Sequence, residues 1–212
     1  MNLKIALKPQ EGYNKIFDVG EYGMKLTKFG LLKLAKGGVY EGDTGETEVA
    51  FVLMGGNFAA KGDGWAFEVT DGRKSPFTGK PHCLYLPRRT KYTITSLSDV
   101  ELAYNGSPAT RDTAKPTLIR PEDTRHIALG KDNWTRTSEI ILDEKFDSEH
   151  FYIGATAFRL PRGNSIRPFW SCENAERNGT GPRRFRRPFC TGNRSRQKYC
   201  SSTFPYRGKR IR

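Results

Sequence analysis

Three histidines, four cysteines and a scatter of carboxylates are the groups in this 212-residue sequence that could do chemistry. Metal sites draw neutral imidazoles, thiolates and carboxylates together, and the ligands commonly sit two, three or four residues apart along one element. His82, His126 and His150 show no such pairing, so each reads as a surface or satisfied core residue. Cys83 stands alone, and Cys172, Cys190 and Cys200 are separated by 17 and 9 residues with no histidine near them. That spacing is poor for zinc, and without a secretory leader it predicts free thiols. No phosphate loop, dinucleotide fingerprint or nucleophile elbow occurs.

Charge divides the chain. Residues 1–158 carry 21 Lys or Arg and 21 Asp or Glu, so the whole net charge of +13 belongs to residues 159–212. That tail interleaves Arg183-Arg-Phe-Arg-Arg187 and Arg194-Ser-Arg196 with Phe189, Tyr199 and Tyr206. Basic and aromatic residues in alternation attract single-stranded nucleic acid without specificity, and such attraction is expected here. No run approaches eighteen apolar residues, and charge interrupts Met1–Lys8 too early for a signal sequence. Both predict a cytoplasmic protein that does not enter a membrane.

The elements that must position any site are strands. Met24–Leu34, Glu48–Met54, Asn57–Lys61, Trp65–Thr70, Cys83–Leu86, Lys91–Thr95 and Val100–Tyr104 are short β-branched or aromatic runs, mostly bounded by Gly or Pro. Gly62-Asp-Gly64 is a hairpin signal between two of them. Short strands about ten residues apart, without helical periodicity, predict an all-β jelly roll over residues 1–108. A polar connector with loops is expected over 109–150, with a strand end running into a turn at Leu118–Asp123 and a strand at Glu139–Leu142, and Phe151–Phe158 is expected to begin a second sheet or domain.

Within this frame, Glu48 and Gly55 have the spacing that closes the first cupin motif. Pro87-Arg-Arg-Thr-Lys-Tyr92 resembles the second motif, with Arg89 in place of its glycine and Tyr92 in place of its histidine. Longer phrases carry a narrower likeness. Lys8-Pro-Gln-Glu-Gly-Tyr13, Glu46-Thr-Glu48, Gly79-Lys-Pro-His-Cys-Leu-Tyr-Leu-Pro87, Leu118-Ile-Arg-Pro-Glu-Asp123 and Gly130-Lys-Asp-Asn-Trp-Thr-Arg136 occur in that order. Together, over about residues 8–158, they resemble the 5-deoxyglucuronate isomerases. These are two-cupin sugar isomerases of inositol breakdown, related to the 5-keto-4-deoxyuronate isomerases.

The resemblance implies an aldose–ketose isomerisation of 5-deoxyglucuronate to 2-deoxy-5-keto-gluconate. It also implies a divalent metal held by a His-x-His stretch, a Glu and a late His of the second cupin. The metal would polarise the sugar oxygens while a carboxylate or imidazole moves the proton. Glu48 is the acid with a motif behind it, although a charged residue opening a strand would look the same. Asn133 and Arg136 are candidates for the sugar acid's carboxylate, which suits an Arg fork, and an ordinary surface loop is their alternative.

No histidine follows His150, so the second-cupin ligands have no counterpart and no metal is assigned to this chain. The tail lacks strand alternation and acidic balance, which predicts weak order or disorder. Its abrupt change of charge and cysteine content suggests a shifted reading frame or truncation of the cupin pattern. The sequence thus predicts an inactive relative, with a non-catalytic binding or assembly module as the alternative. Half a two-cupin protein would leave an apolar face uncovered, which favours self-association into a homo-oligomer.

Overall fold

The computed structural model describes residues 7–131, 135–159, 166–174 and 189–190, with side chains up to Thr156. The first nine strands are β1 (Gly12–Phe17), β2 (Lys28–Leu34), β3 (Val39–Asp43), β4 (Thr47–Gly55), β5 (Phe58–Gly62), β6 (Trp65–Val69), β7 (Cys83–Leu86), β8 (Lys91–Ser96) and β9 (Val100–Pro108). They form two facing antiparallel sheets, the jelly roll of a cupin. The larger has the order β1-β2-β9-β4-β7-β10, where β10 is Thr117–Ile119, and the smaller has the order β3-β8-β5-β6.

Sequence pattern separates the two sheets. β8 alternates, placing Tyr92 and Ile94 inward and Lys91 and Thr93 outward, as a strand with one wet face does. β4 does not alternate: Val49-Ala-Phe-Val-Leu-Met54 is buried throughout. The reason is that both faces of β4 are covered. Val49, Phe51 and Leu53 enter the jelly-roll core, while Ala50, Val52 and Met54 enter a second core behind the sheet. β7 is divided the same way, with Leu84 and Leu86 in the first core and Cys83 and Tyr85 in the second. Each fully buried aliphatic or aromatic side chain on either face contributes on the order of 1.5–3 kcal/mol.

Glycines fix the corners. Gly62 pairs with Trp65 across the two-residue turn Asp63-Gly64, with Gly64 at φ 72°, the hairpin indicated by the sequence. After β4, Gly56 takes φ 96°, and a Cβ there would lie 2.1 Å from the Asp99 carbonyl oxygen. Only glycine permits that approach.

The second core is closed by a further sheet of order β11-β12-β13-β14-β15. Its strands are β11 (Arg125–Leu129), β12 (Arg136–Leu142), β13 (Phe151–Arg159), β14 (Ile166–Asn174) and β15 (Phe189–Cys190). Ile141, Leu142, Phe151 and Ile153 pack against Ala50, Val52, Cys83, Tyr85 and Ile119 of the jelly roll.

Within the stretch 109–150, the expected strand end at Leu118 is β10 of the first sheet and the expected strand at Glu139–Leu142 is β12 of the second, while β11 is an addition to them. β13 therefore joins a sheet already begun, and β14 and β15 extend that sheet past residue 159. Cross-strand pairing makes these strands: β11 is exposed at Arg125, His126, Ala128 and Leu129 and offers no alternation to read. The rest of the tail, where disorder is expected, lies outside the described residues. Among the described residues no helix is long and apolar enough to cross a membrane.

Candidate functional site

The interior of the jelly roll is the first place to seek a site, and side chains fill it. Tyr92 points inward, its ring 5.6 Å from Phe51 and 6.2 Å from Tyr40. Phe51 meets Tyr104 at 5.4 Å, and Tyr104 meets Tyr13 at 5.1 Å. Gly42 makes room for this plug: a Cβ there would lie 2.5 Å from the Tyr92 ring. Burial pushes the Tyr13 phenol up to about 12 and also raises Tyr40, Tyr92 and Tyr104. At neutral pH these are neutral phenols, neither bases nor anionic ligands.

The loop that delivers Tyr92 carries Arg89 where the cupin motif has glycine. Arg89 occupies the left-handed region at φ 57°, a conformation that costs a non-glycine residue roughly 1–2 kcal/mol. The strain is held by its amide donating to the Gly45 carbonyl at 2.6 Å and its Nε donating to Glu46 at 2.9 Å.

Glu48 lies on the opposite face of the sheet. It shares its side of β4 with Ala50 and Val52, so its carboxylate enters the seam between the sheets and not the jelly-roll interior. It is 1% exposed. The backbone amides of Glu149 and His150 donate to it at 3.0 and 2.7 Å, and the Tyr85 hydroxyl donates at 2.9 Å. Burial and the adjacent Glu48 carboxylate both raise the Tyr85 phenol, so it remains a donor. Glu48 thus fastens the segment before β13 to the jelly roll. As a candidate base it has no inward aim, and three hydrogen bonds already engage its two oxygens.

Around these bonds the seam opens into a small cleft, lined among others by Glu48, Tyr85, Arg88, Arg111, Asp147 and Glu149. Its charges answer one another. Arg88 pairs with Glu46 and with Asp112, the latter at 3.1 Å, and donates to the Ala109 and Thr110 carbonyls at 3.1 and 2.7 Å. Arg111 donates to the Ser148 carbonyl at 2.9 Å. Glu149 accepts from the Thr110 and Arg111 amides at 2.7 and 3.0 Å and from the Thr110 hydroxyl at 2.9 Å.

Burial alone would raise the Glu149 carboxyl, but these donors and neighbouring His150 outweigh it and bring the group down to about 2. A depressed carboxyl stabilises the fold above its unfolded value near 4.5, and the contribution is lost as pH falls toward 2. We therefore expect Glu149→Gln to lower stability at neutral pH and to flatten the decline between about pH 4.5 and 2, measured by urea unfolding across that range.

The remaining candidates are not brought together. His82 is buried ahead of β7, His126 lies on the exposed β11, and His150 precedes β13. His126 Nδ1 contacts Glu139, directly opposite it in the β11–β12 pairing, and Thr124 and Lys80 reach the same carboxylate at 3.1 and 3.4 Å. Arg136 takes alternate positions on β12 from Glu139 and so occupies the other face of that strand, with Ser138. Asn133 lies outside the described residues. Among the described residues no group of three or more His, Cys, Asp or Glu is placed to hold a metal. The donor set there does not fit the divalent ion implied by the family resemblance.

Sequence reasoning missed Tyr85, Glu139 and Glu149. Their partners are 37, 13 and 39 residues away, and only tertiary register joins them.

Two of the characteristic phrases prove to be neighbours. Residues 79–87 and 118–123 lie side by side because β7 pairs with β10, Cys83 opposite Ile119 and Leu84 opposite Leu118. The second phrase ends in a 3-10 turn, Pro121–Asp123, which Asp123 closes by accepting the Arg120 amide at 2.9 Å. What these residues build is the joint between a jelly roll and its companion sheet.

A plugged jelly roll backed by a second sheet defines a cupin-type protein. The model of the KduI/IolB family matches residues 6–165, and the chain belongs to that family. Among solved structures, an IolB-like protein from Salmonella typhimurium LT2 superposes with a TM-score of 0.70 at 23% identity, over 74% of this chain and 60% of its own. The present chain thus spans about 60% of the length of that relative. A putative glyoxylate-induced protein from Pseudomonas aeruginosa aligns at a TM-score of 0.53 and 9% identity, over 76% of this chain and 68% of its own. Protein Ylba from E. coli aligns at 0.52 and 13%, over 77% and 63%. No curated protein matches the sequence.

Proposed function

We infer that this protein derives from the 5-deoxyglucuronate isomerases and that residues 7–159 are their structural, non-catalytic half. The ancestral reaction removes a proton beside a sugar carbonyl, passes through an enediolate and returns the proton to the neighbouring carbon. Membership of the KduI/IolB family supports a sugar-isomerase descent, and the particular sugar acid rests on the characteristic phrases.

The observation that carries the structural reading is the placement of Glu48. The only acid with a motif behind it is consumed by two backbone amides and a tyrosine hydroxyl at the seam. The jelly-roll interior supports the same reading, because neutral phenols and Phe51 fill it. Held this way, the half presents a rigid sheet against which a companion sheet folds. By this reading the chain as it stands does not turn over a sugar acid.

The test is isomerisation of 5-deoxyglucuronate by the purified chain, followed by product formation with zinc or manganese supplied. Turnover that disappears in Glu48→Gln, with folding retained, would overturn the structural assignment. Absence of turnover agrees with it.

A further inference from the structure

His82 sits where the β6–β7 loop, the start of β7 and the Pro121–Asp123 turn meet at one end of the jelly roll. Its side chain is 1% exposed, and neither ring nitrogen makes a hydrogen bond. The loop above it is sewn to the strands beneath. The Leu53 amide donates to the His82 carbonyl at 2.9 Å, and Arg73 Nε donates to the Leu53 carbonyl at 2.7 Å. The Gly56 amide donates to the Arg73 carbonyl at 2.9 Å, and the Gly72 amide to Asn57 Oδ1 at 2.8 Å.

The charged groups acting on the imidazole come from two elements. The loop supplies Asp71, whose carboxylate is 3.4 Å from Nε2 and 70% exposed, and Arg73. The turn supplies Arg120 and Glu122. β4 contributes only the uncharged Leu53 and its neighbours, and nearby Lys80 is engaged with Glu139 at 3.4 Å.

We propose that His82 is an acid-responsive latch, whose protonation in mildly acidic solution frees the β6–β7 loop and the adjoining Pro121–Asp123 turn while the rest of the fold persists. A further positive charge cannot enter this place cheaply. The site is closed to water, two guanidiniums oppose the charge, and the nearest carboxylate is largely solvated, which weakens its compensation. Burial is the largest cause holding the imidazole below its ordinary value of 6.5; Asp71 and Glu122 act against it, and Arg120 and Arg73 act with it. Once the loop lifts, the ring regains that ordinary value. The open state therefore binds the proton more tightly, and opening grows as pH falls below about 6.5, by at most roughly tenfold per unit, levelling off below the closed-state value.

Hydrogen exchange on the whole chain reads this directly, with rates corrected for the intrinsic pH dependence of exchange. Between pH 7.5 and 5 the amides of Leu53, Gly56 and Gly72 are expected to lose protection by up to about tenfold per unit below 6.5, while those in the middle of β9 keep theirs. His82→Gln, which gains no proton in this range, is expected to abolish the acid acceleration. Equal acceleration in wild type and His82→Gln, or none in wild type, would overturn the proposal. Should His82→Gln fail to fold, the His82 ring titration in wild type decides by NMR. A midpoint below 6.5 in the folded protein supports the latch, and one at or above 6.5 refutes it.

Discussion

Replacing Glu48 with alanine is expected to destabilise the protein by about 3–5 kcal/mol. The substitution removes one carboxylate and strands three donors, the part-buried amides of Glu149 and His150 and the buried hydroxyl of Tyr85. Hydrogen bonds to a charged acceptor are worth roughly 1.5–3 kcal/mol each, and unpaired buried donors add the cost of their lost hydration. The sum is not additive, because the 149–150 segment can shift toward water. Glu48→Gln keeps one acceptor oxygen and is expected to cost about half as much, and Tyr85→Phe about 1 kcal/mol.

Urea denaturation of the three variants gives the ranking. The mutations should also expose the joint specifically. Amides of β13 that lie over the second core should exchange faster in Glu48→Ala than those of β8 on the far sheet.

The second large effect is expected inside the jelly roll. Phe51 is wholly buried between Tyr92 and Tyr104, edge to face with both. Phe51→Ala removes a ring from a plug whose neighbours are themselves wedged, so the site cannot collapse to fill the gap. A loss of about 4 kcal/mol is expected, the range for buried Phe→Ala being about 3–5. Phe51→Leu, which keeps most of the volume, is expected to lose less than half of that. Similar losses for the two variants in equilibrium unfolding would mean that the interior is looser than the ring contacts indicate.

The all-β cupin fold was legible because its signals are local. Gly62-Asp-Gly64 sets a hairpin by backbone conformation alone, and Lys91–Thr95 alternates because one face of β8 is wet. The unbroken run Val49–Met54 also held more than strand propensity. A strand apolar on both faces must be covered on both, and the second core is what covers it.

In the second sheet, Glu139–Leu142 and Phe151–Phe158 were legible as strands and Arg125–Leu129 was not. Arg125–Leu129 carries almost no buried side chain, so its identity as a strand comes from pairing with β12 and leaves no periodicity in the sequence. Glu48 shows a different limit. Its spacing to Gly55 matched a ligand motif, but function depends on which face of β4 the residue occupies. Parity with Ala50 and Val52 puts it in the seam, a fact that spacing alone does not contain. Arg89 is another such case: that it takes a φ of 57° where the motif has glycine is a fact of backbone conformation that residue spacing does not contain.

The most direct test of the structural assignment is metal stoichiometry of the purified full chain after dialysis against excess zinc or manganese. Three scattered histidines and a Glu48 already occupied by hydrogen bonds predict less than one tightly held ion per chain, unchanged in Glu48→Gln. One tightly held ion per chain, lost when Glu48 or any of His82, His126 and His150 is replaced, would contradict the account and restore a catalytic reading of this half.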